Sequence, residues 1–313
     1  MSNVLKDMTR KFADILEDFT ESFQVNFEGA YSIREDGACA EKMSSENIKI
    51  ELKKDKPGLD ITVKRGTKNE VVYIPACVTK GGIDDLVYND FYIEPDCDVL
   101  IVAGCSVHTD SHDDAKHNGI HSFFVQENCK VRYEEKHVAT GTGDGVKDIS
   151  PVTHVELGEN SSLEMNTIQL SGVTNSDRKT TAKVAAGAKL IVHERILTEG
   201  EERAESFFEV YLEGEHSRAD IVSRSVAKDK SYQNFISTVI GDAPCSGHSE
   251  CDAIIDGDAV VDASPRLYAR NKDASLIHEA AIGKIAGEQI LKFRSLGLTQ
   301  EEAEQKIIEG FLA

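Results

Sequence analysis

A short turn-then-strand phrase recurs through the middle of this chain, and it constrains the fold more than any other feature. It reads Asp96-Cys97-Asp98-Val99, Asn128-Cys129-Lys130-Val131, Asn160-Ser161-Ser162-Leu163 and Gly187-Ala188-Lys189-Leu190, then more weakly Ser217-Arg218-Ala219. The last residues of successive phrases lie 32, 32, 27 and 29 positions apart. Between about Ala30 and Ser275, short runs of Val, Ile, Leu and Thr alternate with polar residues and are punctuated by Gly, Asn, Asp and Ser. That texture is β structure. A loose period of roughly thirty residues in an all-β stretch predicts stacked coils, a β-solenoid or parallel β-helix. A β-sandwich of regular hairpins is the alternative, and the Asn-Gly turns it favours are scarce.

Both ends carry helical periodicity instead. Val4, Leu5, Met8, Phe12, Ile15, Leu16 and Phe19 recur at spacings of three and four, which predicts an amphipathic helix in a segment spanning 1–29. After the β stretch, 30–275, a helical tail is expected over 276–313. Ile282, Ile285, Ala286, Ile290, Phe293 and Leu296 share a broad face, and Gly297 is a natural stop. Thr299-Gln300-Glu301-Glu302 is a capping box for a second helix with Ala303, Ile307, Ile308 and Phe311 on its apolar face. The tail is therefore a helical hairpin.

Charge and cysteine usage narrow the function classes. Lys and Arg number 35 against 55 Asp and Glu, a net charge of −20, with no basic stripe to meet a phosphate backbone. Nucleic acid is not expected as a partner. No apolar run approaches the roughly 18–20 residues that span a bilayer, so no membrane is expected. Asp7, Asp14, Glu17 and Asp18 make the N-terminus unlike a signal or transit peptide, and the expected location is the cytoplasm. The 7 cysteines are an odd number with no CxxC pair, which disfavours a disulfide framework, a zinc ribbon and a thioredoxin-like site. Each is then either a small buried apolar group or a group for metal or redox work.

Several enzyme signatures are missing. There is no G-x-x-x-x-G-K-[ST] loop, so the chain carries no nucleotide-binding motif of its own. The run Gly141-Thr142-Gly143-Asp144-Gly145 lacks the strand-then-helix setting of a dinucleotide fingerprint and reads as a flexible loop. No G-x-S-x-G elbow occurs. The densest metal candidate is His108, His112, His117 and His121, two pairs at i, i+4 spacing beside Asp110, Asp113 and Asp114. It lacks the glutamate of H-E-x-x-H, and a polar, charged surface loop is the cheaper explanation. A second constellation sets Cys251 near His248 and Glu250, with His278-Glu279 further on. A soft thiolate with imidazole and carboxylate holds iron more loosely than four thiolates do, which suits a protein that must release what it builds.

These last residues carry a resemblance. Gly247-His248-Ser249-Glu250-Cys251-Asp252-Ala253, Ile277-His278-Glu279-Ala280 through Lys284-Ile285, and Arg294-Ser295-Leu296-Gly297-Leu298-Thr299-Gln300-Glu301-Glu302-Ala303 resemble three ordered motifs of the SufB/SufD family. The likeness runs from about Cys97 to the C-terminus and includes Gly104-Cys105 and Lys130-Val131-Arg132-Tyr133. The resemblance implies a right-handed parallel β-helix with helical ends, and a scaffold subunit for iron–sulfur cluster assembly that carries the cluster transiently. Cys251, His278 and Glu279 match the family's cluster-assembly cysteine and His-Glu pair. Cys105 matches a cysteine on its sulfur path, and His137 stands where glutamine is usual. Ile277 stands where SufB-type chains usually carry a carboxylate. The implied partners are a SufC-type ATPase docked on Arg294, Leu296, Gly297, Leu298 and Phe311, a second copy through the β-helix, a cysteine desulfurase or sulfur carrier, and apo-protein acceptors. Two alternatives stand beside this reading: a zinc-type hydrolase built on His108, His112, His117 and His121, and an inert SufD-like dimer partner.

Overall fold

The computed structural model describes residues 29–169 and 172–312, so the helix expected within 1–29 lies outside the described residues. The chain opens with two antiparallel hairpins, β1 (Ala30–Glu35) with β2 (Ala38–Met43) and β3 (Ile48–Leu52) with β4 (Gly58–Val63). Longer strands follow: β5 (Lys68–Val78), β6 (Asp84–Ile93), β7 (Asp98–His108), β8 (Ala115–Val125), β9 (Lys130–Thr140), β10 (Lys147–Asp148) and β11 (Val152–Leu157). The second half continues as β12 (Ser162–Gln169), β13 (Asn175–Val184), β14 (Lys189–Thr198), β15 (Arg203–Leu212) and β16 (Arg218–Ala227). It ends with β17 (Tyr232–Gly241), β18 (Ser246–Ile255), β19 (Val260–Ala269) and β20 (Ser275–Gly283). Two helices close the chain, α1 (Gly287–Ser295) and α2 (Gln300–Leu312).

Successive strands alternate between two sheets, ordered β2-β1-β5-β7-β9-β12-β14-β16-β18-β20 and β19-β17-β15-β13-β10-β8-β6-β4-β3, with β11 pairing β8 and β13. Beyond the opening hairpins every pairing is parallel. The result is a β-solenoid of about eight turns. Side chains alternate across each strand, so every second residue faces a narrow interior. Ile61, Phe91, Ile101, Phe123 and Leu163 are fully buried there, and the Phe91 and Phe123 rings stack at 4.6 Å. Burying each such side chain contributes about 1.5–3 kcal/mol.

The recurrent phrase is a corner of this coil. Asp96, Asn128, Asn160, Gly187 and His216 all have positive φ, a conformation Asn, Asp and Gly reach at least cost. Each corner hands its amide to the next turn: Asn128 donates to Glu159 O at 3.0 Å and Asn160 to Ala186 O at 2.9 Å. The small residue that follows points inward. Cys97 Sγ donates to Lys64 O and Cys129 Sγ to Glu94 O, both at 3.1 Å, and Ser161 Oγ donates to Gln126 O at 2.6 Å. Cys97 and Cys129 are therefore structural thiols, and burial raises both above their ordinary range.

The helical tail begins later than its apolar spacing predicts. Residues 275–283 form β20, in parallel register with β18 from Ser246↔Ser275 to Ile254↔Gly283. The run 275–283 holds too few apolar residues to fix a period, and the edge of β18 takes it up as a strand. The hairpin itself matches expectation. Gly297 has φ +100° after α1, and the capping box is reciprocal, with Glu302 N donating to Thr299 Oγ1 (3.1 Å) and Thr299 N to Glu302 Oε2 (2.8 Å).

The glycine-rich run is a packed turn rather than a flexible loop. A Cβ at Gly143 would lie 2.1 Å from Ser111 O, and one at Gly145 would lie 2.2 Å from Asp113 O. Gly143→Ala is expected to force two turns apart and cost about 2 kcal/mol, whereas Gly283→Ala, facing open space, shifts stability little. Urea unfolding midpoints check this; equal midpoints would refute the packing argument.

Candidate functional site: a buried polar lane and the open last turn

The solenoid interior is not uniformly apolar. On β9 the inward residues run Val131, Tyr133, Glu135, His137, and on β14 Leu190, Val192, Glu194, Ile196. Arg178 on β13 reaches between them with its side chain 4% exposed. It donates to Glu135 Oε2 at 2.8 Å and to His137 Nδ1 at 3.2 Å, and its Nε lies 3.5 Å from Glu194 Oε1. Because arginine only donates, His137 accepts at Nδ1 and carries its proton on Nε2, 3.3 Å from Glu135 Oε1. Glu135 is held well below the carboxylate range, against its burial, by His137 and Arg178. Burial lowers His137. Burial also raises Glu194, which accepts from Ser206 Oγ at 2.7 Å and Ser223 Oγ at 2.8 Å.

Cysteines stand at both ends of this lane. In one sheet Cys105 pairs in register with His137. In the same sheet Glu194 pairs with Ser223, and Ser223 with Cys251. On the Cys105 side the lane continues through Tyr133, whose hydroxyl donates to Glu135 Oε1 at 2.7 Å and accepts from His121 Nδ1 at 2.8 Å. Burial drives the Cys105 thiol well up. It drives Cys251 up to about 12, helped by Glu194 and Asp252. Both rest as neutral thiols until a proton acceptor or a ligand intervenes.

Cys251 lies one turn from the open end. Strands β19 and β20 edge the two sheets, with Ile277 53% and Tyr268 49% exposed. Strand periodicity splits the expected site. Cys251 and His278 occupy the inner face, on which Ser249 pairs with His278 and Cys251 with Ala280, and His278 Nδ1 is buried without a hydrogen-bond partner among the described residues. Glu279 points outward beside Glu250. There ligand atoms of His248, Glu250 and Glu279 lie within 4.8 Å of one another, a group the sequence expectations placed beside Cys251 but did not separate from it. His248 Nδ1 bonds Asp220 Oδ1 at 2.9 Å, which turns Nε2 toward Glu279 (3.4 Å) and Glu250 (4.0 Å). A carboxylate behind an imidazole in this way fixes the tautomer that binds a metal.

The four histidines expected to share a metal do not converge. His108 and His112 lie at the end of β7 and in the following turn, one rung below the glycine-rich turn, and bond Thr140 Oγ1 (2.8 Å) and Asp144 Oδ1 (2.5 Å). His117 and His121 lie on β8, a strand, so their i, i+4 spacing separates them by about 13 Å. His117 bonds Asp85, and burial lowers His121 to about 4. Among the described residues, only the His248 group gathers three metal-ligating side chains. Each of these histidines serves its own rung, and the set offers no hydrolase centre. All seven cysteines are free.

Thiolate-dependent alkylation tests the Cys251 environment. With its pKa raised, the thiol stays protonated through neutral pH, and labelling should rise about tenfold per pH unit without levelling up to pH ~10. Peptide mapping of native protein treated with iodoacetamide reads this; a plateau near pH ~8.5, the value of a free cysteine, would contradict it.

Comparison with known proteins gives the family. Residues 90–311 match the model of the family described as "SUF system FeS cluster assembly, SufBD core domain". Similar proteins include iron–sulfur cluster assembly SufBD family proteins of Archaeoglobus fulgidus (32% identity, 79% of this chain and 66% of the relative) and Methanothermobacter thermautotrophicus (29%, 82% and 62%). Another, from Methanocaldococcus jannaschii, is 26% identical over 92% of both chains. The chain thus spans just under two thirds of the first two relatives and nearly all of the third. With the solenoid and this match together, the chain belongs to the SufB/SufD family of iron–sulfur cluster assembly proteins.

Proposed function

We propose that this chain is a scaffold on which iron–sulfur clusters are built and handed on, with no nucleotide chemistry of its own. The observation that carries the reading is the back-to-back arrangement on β18 and β20. A buried thiol, Cys251, faces inward one turn from the open end, and a His-Glu-Glu group faces outward on the same two strands. Nitrogen and oxygen ligands suit incoming ferrous ion, and the thiol suits the finished cluster. Glu194, bonded to Ser223 beside Cys251, is placed to take up the proton that iron binding releases. Sulfur enters from a cysteine desulfurase or carrier and travels by the Cys105 end of the lane, with His137 on the way. The exposed edges β19 and β20 are the surface for a second copy, which would cover the last turn and complete the ligand set around Cys251 and His278. Apo-proteins take the cluster from there, in the cytoplasm.

The test is anaerobic reconstitution with ferrous ion and sulfide. Cys251→Ser should lose the cluster's visible absorption, at a stability cost of about 1–2 kcal/mol. Asp220→Asn, which removes the negative charge behind the His248 ring, should weaken ferrous binding by about 10–100-fold. A full cluster on Cys251→Ser would refute the assignment.

The helical tail supports docking of a SufC-type ATPase. Ile308 is buried against Val226 and Ile254, and Phe311 packs at the same place, so α2 is spent on the body. In contrast α1 buries nothing, and Leu291 and Leu296 are 62% and 72% exposed. Of the expected docking residues, Leu296 and Arg294 are available and Phe311 is an anchor to the solenoid. Leu291→Asp with Leu296→Asp should remove ATPase co-purification, a loss of about 2 kcal/mol or more, at unchanged melting temperature. Phe311→Ala should lower melting first. Retained ATPase binding by the double variant would take α1 out of the interface.

A further inference from the structure

A small cavity at the opposite end of the solenoid has Cys105 in its wall. It measures about 30 Å³ and is lined by Cys39, Arg34, Asn89, His117 and His121 as well. A void of ~10–15 Å³ admits one water, so this one has room for a single added sulfur atom. Cys39 lies on β2, half-buried, with its Sγ 3.7 Å from Ser32 Oγ. Cys105 is 5% exposed. Asn89, only 6% exposed, donates its amide to His121 Nε2 (3.3 Å), while its Oδ1 in the cavity wall has no partner among the described residues. Such an orphaned buried acceptor marks a place where a donor belongs. The Arg34 guanidinium, fixed to Asp85 at 2.8 Å and 2.5 Å, supplies positive charge at the same wall.

We infer that this cavity is a persulfide port. Cys39 takes sulfane sulfur from a persulfide donor at the surface and relays it to Cys105. This rests on the reading of Cys105 as the start of an internal sulfur path. The first exchange converts Cys39–SH and R–S–SH into Cys39–S–SH and R–SH. In the second, the Cys105 sulfur attacks the terminal sulfur of the Cys39 persulfide. The new bond joins Cys105 Sγ to that sulfur, and the bond to Cys39 Sγ breaks. The Cys105 proton ends on Cys39, which leaves as a thiol. The sulfane sulfur keeps its oxidation state throughout, so no external oxidant or reductant is required. The Asn89 oxygen accepts the S–H of the arriving persulfide. Cys39 lies outside the motifs that resemble the family, and the fold of the first hairpin brings it to the same cavity as Cys105.

The experiment uses inorganic polysulfide as the probe on anaerobic protein, followed by alkylation and peptide mass mapping for one added sulfur. Wild type should carry it on Cys105, and Cys105→Ser should accumulate it on Cys39. Cys39→Ser should slow loading of Cys105 by about tenfold or more, because a held thiol reacts as a unimolecular partner. Reconstitution of Cys39→Ser from free sulfide should stay normal, since it bypasses the port. Cys39→Ala controls for the hydroxyl and should behave like Cys39→Ser. Equal loading of Cys105 in wild type and Cys39→Ser, or no sulfur on Cys39 in Cys105→Ser, would overturn the port. If sulfur loads as stated but wild type forms no cluster at Cys251, the port stands and the scaffold reading falls.

Discussion

The guanidinium of Arg178 sits fully inside the solenoid between Glu135 and Glu194, and the interior is arranged around that charge. An unpaired buried charge would cost far more than a domain's net stability. The compensation comes from two strands of one sheet: a carboxylate and the His137 ring on β9, and a second carboxylate on β14. Apolar residues of similar size would fill the same space at equal or lower free energy. A polar lane kept in a core that hydrophobes could fill points to chemistry rather than to folding.

That lane connects two otherwise distant places. At one end are Cys105, Tyr133 and His121; at the other are Glu194, Ser223 and Cys251. Parallel stacking makes this possible, because residues of equal phase on successive turns lie on one line inside the coil. The same alternation divides labour at the last turn, turning Cys251 and His278 inward and Glu279 outward to His248 and Glu250. Thiol chemistry is kept dry while hard ligands meet solvent. The outer edges of β19 and β20 carry no further strand among the described residues.

Much of the coil was legible in the sequence because its corners require left-handed backbone. Asp96, Asn128, Asn160 and Gly187 are the residue types that bear positive φ, so the chemistry of one position exposed the repeat. The capping box at Thr299 was legible for a similar reason: local hydrogen bonds dictate it. The start of the tail was not, since 275–283 is a strand only because β18 presents a free edge. The histidine run misled because i, i+4 on a strand separates what a helix would join. The polar lane could have been found from phase alone. Glu135 and Glu194 occupy the apolar phase of Val131-x-Tyr133 and Leu190-x-Val192, and a charge in that phase is a buried charge. The Cys39 cavity left no such signal, because it joins segments far apart in the chain, and the split of the His248 group from Cys251 shows only in strand phase.

Anomalous diffraction at the iron edge, from crystals of protein reconstituted anaerobically, tests the account most directly. Iron should appear at the last turn, with one site bonded to Cys251 Sγ and any excess ferrous ion on the outer His248, Glu250 and Glu279 face. Iron confined to the rungs carrying His108, His112, His117 and His121, or a cluster whose ligands leave Cys251 a free thiol, would contradict it.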